Sequence, residues 1–404
     1  MSQFPSVLFG TLTSALSFGV HRVLLQWAGR SFRFVTTKRR ELVIACAVIA
    51  VVPALSRFAL LSTRSELAGM VHAASLVEVM FALALAVPAL VFFGVARLAR
   101  RRRRGTAPKV VADEATTAGP PGAALGGEEP ISRRGAIEKL GGAAVVGATG
   151  LAFGWGMTVG RHGYEVREIV VRIAGLPKAL DGYVIAQISD VHAGLFVGER
   201  ELHEGAELIR RVRPDILVAT GDLVDFDPRQ APALARALQD AAPRDGVFAI
   251  LGNHDYYAGH VPVSEALRAA GITLLVNESR MIRPRDGGGF ALVGLDDMWS
   301  PRHGGAGPDL ATATASLPRD AARILLAHQP AAFELTAGEV ALQLSGHTHG
   351  GQIQPGHLFI RGPVAGRYDR DGSILYVNRG FGVAGPPVRL GVPPEITKVV
   401  LVSA

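Results

Sequence analysis

Apolar residues follow two regimes along the chain. Over residues 1–160 they come in long runs, and from Val166 onward in short ones parted by polar and glycine-rich segments. Residues 4–27 are apolar apart from polar side chains such as His21 and Arg22, and 42–61 reach to Arg57 near their far end. Residues 67–96 carry His72 and Glu78 near their start, and 140–160 hold no charge at all. A bilayer crossing takes ~20 apolar residues, so each run predicts a transmembrane helix. Glu78, close to a span end, is expected at the interface rather than in the bilayer centre.

The second regime reads as a globular domain with its own core. Residues 166–173 alternate as a strand, and 183–189 form an apolar run ending at Asp190. Helical spacing over 201–211 leads to a strand at 215–220, a helix at 231–242, a strand at 246–251 and a helix at 263–270. Further strands are predicted at 273–276, 290–293, 324–327, 340–344, 357–360, 374–377 and 396–402, with Gly287-Gly288-Gly289 as a hairpin turn. The alternation predicts an α/β fold, a two-sheet β-sandwich flanked by helices and preceded by an α-helical transmembrane region. The expected organisation is a membrane region with three transmembrane helices over 1–104, a flexible Gly/Ala/Pro/Thr-rich linker over 105–131, a fourth helix within 132–160, and the globular domain over 161–404.

Charge sharpens this division. The chain of 404 residues carries a formal charge of +7, but residues 1–160 hold 18 Lys and Arg against 8 Asp and Glu, while 161–404 hold 24 against 27. The basic excess lies between the apolar runs, which favours membrane lipids as partners and disfavours nucleic acid. The single cysteine, Cys46, excludes an intramolecular disulfide. Arg30 to Arg40 and Arg97 to Lys139 are basic loops, so the positive-inside bias puts both in the cytoplasm and residues 161–404 outside the cytoplasmic (inner) membrane. Ser132-Arg133-Arg134 before the last run resembles a twin-arginine export signal, with Ala136 where a bulky residue is usual, and reads equally as a basic flank.

The chemistry-bearing residues stand where predicted strands end, the place where open α/β sheets put their sites. Asp190-Val191-His192, Gly221-Asp222-Leu223-Val224-Asp225, Gly252-Asn253-His254-Asp255, His328 and Gly346-His347-Thr348-His349 each follow an apolar run. Asp190, His192, Asp222, Asn253, His328, His347 and His349 offer nitrogen and oxygen donors and no thiolate. Such a set suits two divalent ions, Mn, Fe, Zn or Mg, over a thiolate zinc site. No phosphate-cradling Gly-x-x-x-x-Gly-Lys-Ser/Thr loop and no Gly-x-Ser-x-Gly nucleophile turn occurs.

In order and content these blocks resemble those of calcineurin-like metallophosphoesterases, most closely a bacterial membrane-anchored subgroup typified by YkuE and YaeI. The likeness covers roughly residues 165–402 and continues through Tyr376-Val377-Asn378-Arg379-Gly380 and Pro394-Glu395-Ile396. It implies a first metal on Asp190, His192, Asp222 and His349, with Asp222 bridging to a second on Asn253, His328 and His347. It implies that His254 contacts the phosphate and protonates the leaving oxygen, while Asp225 and Asp255 orient their neighbours. The activity implied is phosphoester hydrolysis, phosphodiesters favoured; the substrate stays open among a lipid-linked ester, a cell-envelope polymer and a nucleotide. The alternative is a non-catalytic metal-binding sensor or assembly protein on the same domain; the complete ligand set favours the enzyme.

Overall fold

The computed structural model describes residues 4–31, 33–63, 66–104, 133–241, 243–284 and 288–404. The predicted linker at 105–131, the serine of the twin-arginine-like motif, Ala242 and Gly287 lie outside them. The chain divides into two compact units, one of residues 1–63 and 74–152, the other of 64–73 and 153–404.

The apolar runs fold as helices α1 (Phe4–Ser31), α3 (Arg39–Thr63), α4 (Glu66–Arg104) and α5 (Arg133–Thr158), and the short α2 (Arg33–Thr37) lies in the basic stretch between the first two. Among the described residues three stretches are long and apolar enough to cross a membrane, Arg39–Ala59, Leu67–Ala86 and Leu140–His162. The first expected span is helical throughout, but it does not meet that measure over its described residues. In the first unit α1 and α3 approach closely at Gly10, where an added Cβ would stand 3.2 Å from the Ala54 backbone. Glu78 has a partner: its carboxylate meets His21 Nε2 at 2.7 Å, and His21 Nδ1 donates to the Ser17 carbonyl at 2.7 Å. An opposite partner is what a carboxylate among apolar helices requires.

The second unit contains two six-stranded sheets. The strands are β1 (Glu165–Ile173), β2 (Val184–Ile188), β3 (Ile216–Thr220), β4 (Val247–Ile250), β5 (Thr273–Leu274), β6 (Glu278–Ile282), β7 (Phe290–Gly294), β8 (Arg323–Leu326), β9 (Leu342–Ser345), β10 (Gly366–Arg370), β11 (Ser373–Val377) and β12 (Glu395–Ser403). One sheet runs β1-β12-β2-β3-β4-β5, the other β10-β11-β9-β8-β7-β6. The central strands β2, β3 and β4 are parallel, as are β7, β8, β9 and β11, so each set delivers its C-terminal ends to one edge.

Alternation decides which face each side chain serves. In β3, Ile216 and Val218 point between the sheets, toward Leu292, Ile324, Leu326, Leu342 and Leu344. Leu217 and Ala219 point the other way, under α6 (Glu199–Val212), α7 (Ala231–Asp240) and α9 (His260–Ala269), where they meet Ile209, Leu234 and Leu267. Between α7 and α9 lies the short α8 (Asn253–Ala258). The other outer face packs Ala291, Val293 and Leu325 against Ala313 of α10 (Leu310–Thr314), and Leu375 and Val377 against Phe333 of α11 (Phe333–Thr336). The expected two-sheet sandwich flanked by helices is the observed fold.

Two differences from the sequence reading have plain causes. Residues 357–360 are not a strand: Gly356–Phe359 form a 3-10 turn, and glycine and proline interrupt the segment on both sides, so no ladder extends. Strands β6 and β10 were not predicted because their residues are mostly polar and partly exposed, as edge strands tolerate.

Candidate metal centre

All ten site residues expected from the sequence come together at the C-terminal ends of β2, β3, β4, β8 and β9. Asp190 and His192 follow β2, Asp222 follows β3, and Asn253 opens α8 just beyond β4. His328 lies two residues past β8, and His347 and His349 follow β9. The turns are tight. Asp190, His192, Asp222, His347 and His349 have φ of 52°, 49°, 51°, 73° and 50°, the left-handed region that non-glycine residues rarely occupy. Backbone strain of this kind concentrates at functional sites, where the surrounding fold over-determines it. Glycine lets the turns close on one another. A Cβ on Gly346 would stand 1.9 Å from Ser189 Oγ, and one on Gly252 would stand 2.3 Å from Asp222 Oδ1.

The donors form two linked groups. In the first, His192 Nε2 lies 3.1 Å from His349 Nε2, and Asp190 Oδ1 lies 3.5 Å from the same His349 nitrogen. In the second, His328 Nε2 lies 3.2 Å from His347 Nδ1 and 3.2 Å from Asp222 Oδ2. Asp222 Oδ2 also lies 3.7 Å from His192 Nε2, so one carboxylate touches both groups. His328 Nδ1 is 2.9 Å from the Thr220 carbonyl, which can only accept. Nδ1 therefore carries a proton, and a cation that displaces the proton from Nε2 meets a lone pair turned inward.

A cation fits these donors. Asn253 Oδ1 is buried with no hydrogen-bond partner, an arrangement that is costly unless something outside the chain satisfies it. Imidazole nitrogens 3.1–3.2 Å apart, flanked by buried carboxylates, are spaced as neighbouring ligands of one ion with bonds of about 2.0–2.2 Å. Borderline or hard divalent ions match the donor chemistry.

The surrounding residues brace this arrangement. Asp255, fully buried, accepts from the Leu223 and Val224 amides at 2.9 and 3.0 Å and from Gly252 at 2.8 Å, tying the β3 turn to the β4 turn. Asp225 Oδ1 meets His254 Nδ1 at 3.1 Å and lies 3.5 Å from His192 Nδ1. The His254 amide donates to Asp222 Oδ1 at 2.8 Å. Both aspartates therefore orient neighbours.

Charge is distributed unevenly. Burial raises Asp190, and Asp222 beside it adds to the rise. Burial also works against the charge of Asp222, but His328 and His254 hold it well below the usual carboxylate range. Burial opposes protonation of His328, and the Asp222 carboxylate overcomes it and lifts the ring to about 10. His347, half-buried, is pushed down to about 3 by partial burial and by facing His328. For His254 burial is likewise outweighed, by Asp222 and by the Asp225 hydrogen bond, and it rises to about 9.

Sequence reasoning missed Arg389. Its guanidinium is almost wholly buried, with Nη2 3.2 Å from His349 Nδ1. Nη2 also faces the carbonyls of Arg379, Gly380 and Gly382 at 2.9, 3.1 and 2.6 Å. A lone arginine in the apolar run Pro387-Val388-Arg389-Leu390 was the available signal. Also missed was the aromatic rim: Trp299 stands edge-on to His347 at 5.1 Å, with Phe226 and Tyr257 5.1 and 5.3 Å from His254.

Residues 183–351 match the family described as Calcineurin-like phosphoesterase. The metallophosphoesterase YkuE of Bacillus subtilis is 32% identical over 289 residues, which are 68% of this chain and 98% of that protein. A Danio rerio transmembrane protein with metallophosphoesterase domain is 33% identical over 252 residues, 59% of this chain and 58% of its own. A metallophosphoesterase of Campylobacter jejuni is 36% identical over 238 residues, 57% of this chain and 62% of its own. The chain thus spans about three-fifths of the last two relatives.

The protonation pattern generates a prediction. His328 at about 10 holds a proton at pH 7 in metal-stripped protein, and a cation taking Nε2 must displace it. Titration with Mn²⁺ at pH 7 in two buffers of different ionisation enthalpy should show net proton release, and affinity should fall as pH is lowered. An identical heat in both buffers would contradict the pattern.

Proposed function

The chain belongs to the calcineurin-like metallophosphoesterase family, and from that premise we propose that it hydrolyses phosphoester bonds, phosphodiesters in preference, at a centre of two divalent ions. The observation that carries this reading is the pair of imidazole–carboxylate groups joined through Asp222, with the buried Asn253 oxygen left without a partner. Asp190, His192, Asp222 and His349 would hold one ion, and Asp222, Asn253, His328 and His347 the other. When bound, such a pair supplies Lewis-acid polarisation of the phosphoryl oxygens and an activated water.

The chain's own residues do the rest. Asp190 and Asp222 leave the centre with modest positive charge once two ions are held, which favours an anionic ester. His254 faces the ester as general acid. Asp225 holds its Nδ1 through the carboxylate and the backbone carbonyl, at 3.1 and 3.2 Å, which leaves Nε2 for the leaving oxygen. The aromatic side chains of Trp299 and Tyr257 wall the site toward solvent.

The apolar helices anchor the protein in the cytoplasmic membrane. The basic loops keep to the cytoplasm, and residues 161–404 lie outside, with the twin-arginine machinery as one export route for a folded metalloenzyme.

Two outcomes are expected. His254→Ala should keep fold and metal content but lose rate on alkyl phosphodiesters more than on nitrophenyl esters, whose leaving group needs little protonation. General acid catalysis contributes ~10²–10⁴-fold, and kcat on the two ester types reads the difference; no loss on either removes His254 from the mechanism. For topology, an alkaline phosphatase reporter fused after Gly160 should be active and one fused at Thr116 silent. The reverse pattern would place the domain in the cytoplasm.

A further inference from the structure

The chain beyond the ligand segment turns apolar side chains into solvent. On the Gly356–Phe359 turn, Leu358 is 69% and Phe359 86% exposed, the latter the highest exposure of any large apolar side chain among the described residues. Arg361 follows, exposed, with no hydrogen-bond or ion-pair partner among the described residues. Leucine, phenylalanine and a free cation side by side are the composition of an interfacial anchor, apolar rings in the acyl boundary and charge among anionic head groups.

Its surroundings give the turn a definite partner. Gly356 and His357 pack on Gly351, where an added Cβ would stand 2.5 Å from the His357 amide, and Gly351 is two residues past the candidate ligand His349. Farther along, Ile353 pairs with Leu390, and the Gln354 amide donates to the Leu390 carbonyl at 2.9 Å. The same short segment receives the end of α5. The Arg389 amide donates to the Gly156 carbonyl at 3.2 Å. A Cβ on Gly156 would lie 2.8 Å from Val388 and 2.9 Å from Leu390, and one on Gly160 would lie 2.2 Å from the Arg389 carbonyl. Gly156 and Gly160 stand one helical turn apart, near the end of the apolar stretch Leu140–His162. Beside them Trp155 and Val159 are 51% and 53% exposed, an aromatic and an apolar residue where a membrane helix leaves the acyl region. The exit of a membrane-crossing helix, the exposed Leu358–Phe359 turn and the metal centre are therefore fastened to one segment, Val388–Leu390.

We propose that the turn at 356–361 inserts into the lipid surface as a lip of the metal centre, and that the phosphoester cleaved there is carried by a lipid. The second half rests on the phosphoesterase reading above; the first does not. A lip seated in the head-group layer brings a membrane-borne ester to the centre without drawing it fully into water, and Arg361 adds attraction for anionic lipid.

The test uses the full chain reconstituted in phosphatidylcholine–phosphatidylglycerol vesicles. In a Cys46→Ser background, Phe359→Cys carries a nitrobenzoxadiazole dye. Its emission should shift to the blue and be quenched by brominated acyl chains. Emission of a water-exposed dye, untouched by brominated lipid, overturns the insertion whether or not the protein is active. Separately, the double variant Leu358→Ser with Phe359→Ser should keep its turnover of bis(p-nitrophenyl) phosphate. On a head-group-labelled phosphatidylethanolamine its kcat/KM should fall by about tenfold or more. Equal turnover of the lipid ester by variant and wild type overturns the role of the lip. Wild-type protein that cleaves the soluble ester and leaves the lipid ester intact overturns the lipid substrate. Wild-type protein that cleaves neither ester defeats the phosphoesterase reading and with it the lipid substrate, and the dye still decides the insertion.

Discussion

A single buried carboxylate, Asp222, holds the centre together. One of its oxygens accepts from the His254 amide, and the other faces both His192 and His328. A carboxylate taken out of water costs several kcal/mol unless its charge is met, so every group around Asp222 is constrained to meet it. That demand explains the glycine at position 252, since a side chain there would occupy the carboxylate's own space. It also explains the left-handed backbone at Asp222 itself, which turns the side chain inward as the strand ends. Asp255 then fixes the two turns that carry Asp222 and Asn253 into one rigid body.

Coupling reaches outward from there. His349 touches His192 on its Nε2 side and Arg389 on its Nδ1 side, and the Arg389 amide is bonded to Gly156 of α5. Arg389 is held in place by backbone carbonyls that accept its N–H groups, which makes a buried guanidinium tolerable. The contact means that the last turns of an apolar helix and a candidate metal ligand share one neighbour.

Much of this was legible from residues alone. The strands carrying Asp190, Asp222, Asn253, His328, His347 and His349 are short and mostly apolar, so their ends and the donors beyond them could be read off directly. Arg389 was not, because its role depends on carbonyls brought together by loops far apart in sequence. Strands β6 and β10 were hidden by polar composition, since an edge strand draws its place from a neighbour's ladder rather than from its own periodicity. At 357–360 the error ran the other way. Apolar residues there suggested burial, whereas Leu358 and Phe359 face solvent, and apolar content alone cannot separate a strand from an exposed turn.

The central claim, a two-ion centre shared through Asp222, is tested most directly by metal content. Elemental analysis of purified Asp222→Ala should find both ions lost or nearly so, while Asn253→Ala, missing a neutral donor on one side, should retain about one. Two tightly held ions in Asp222→Ala would contradict the shared centre.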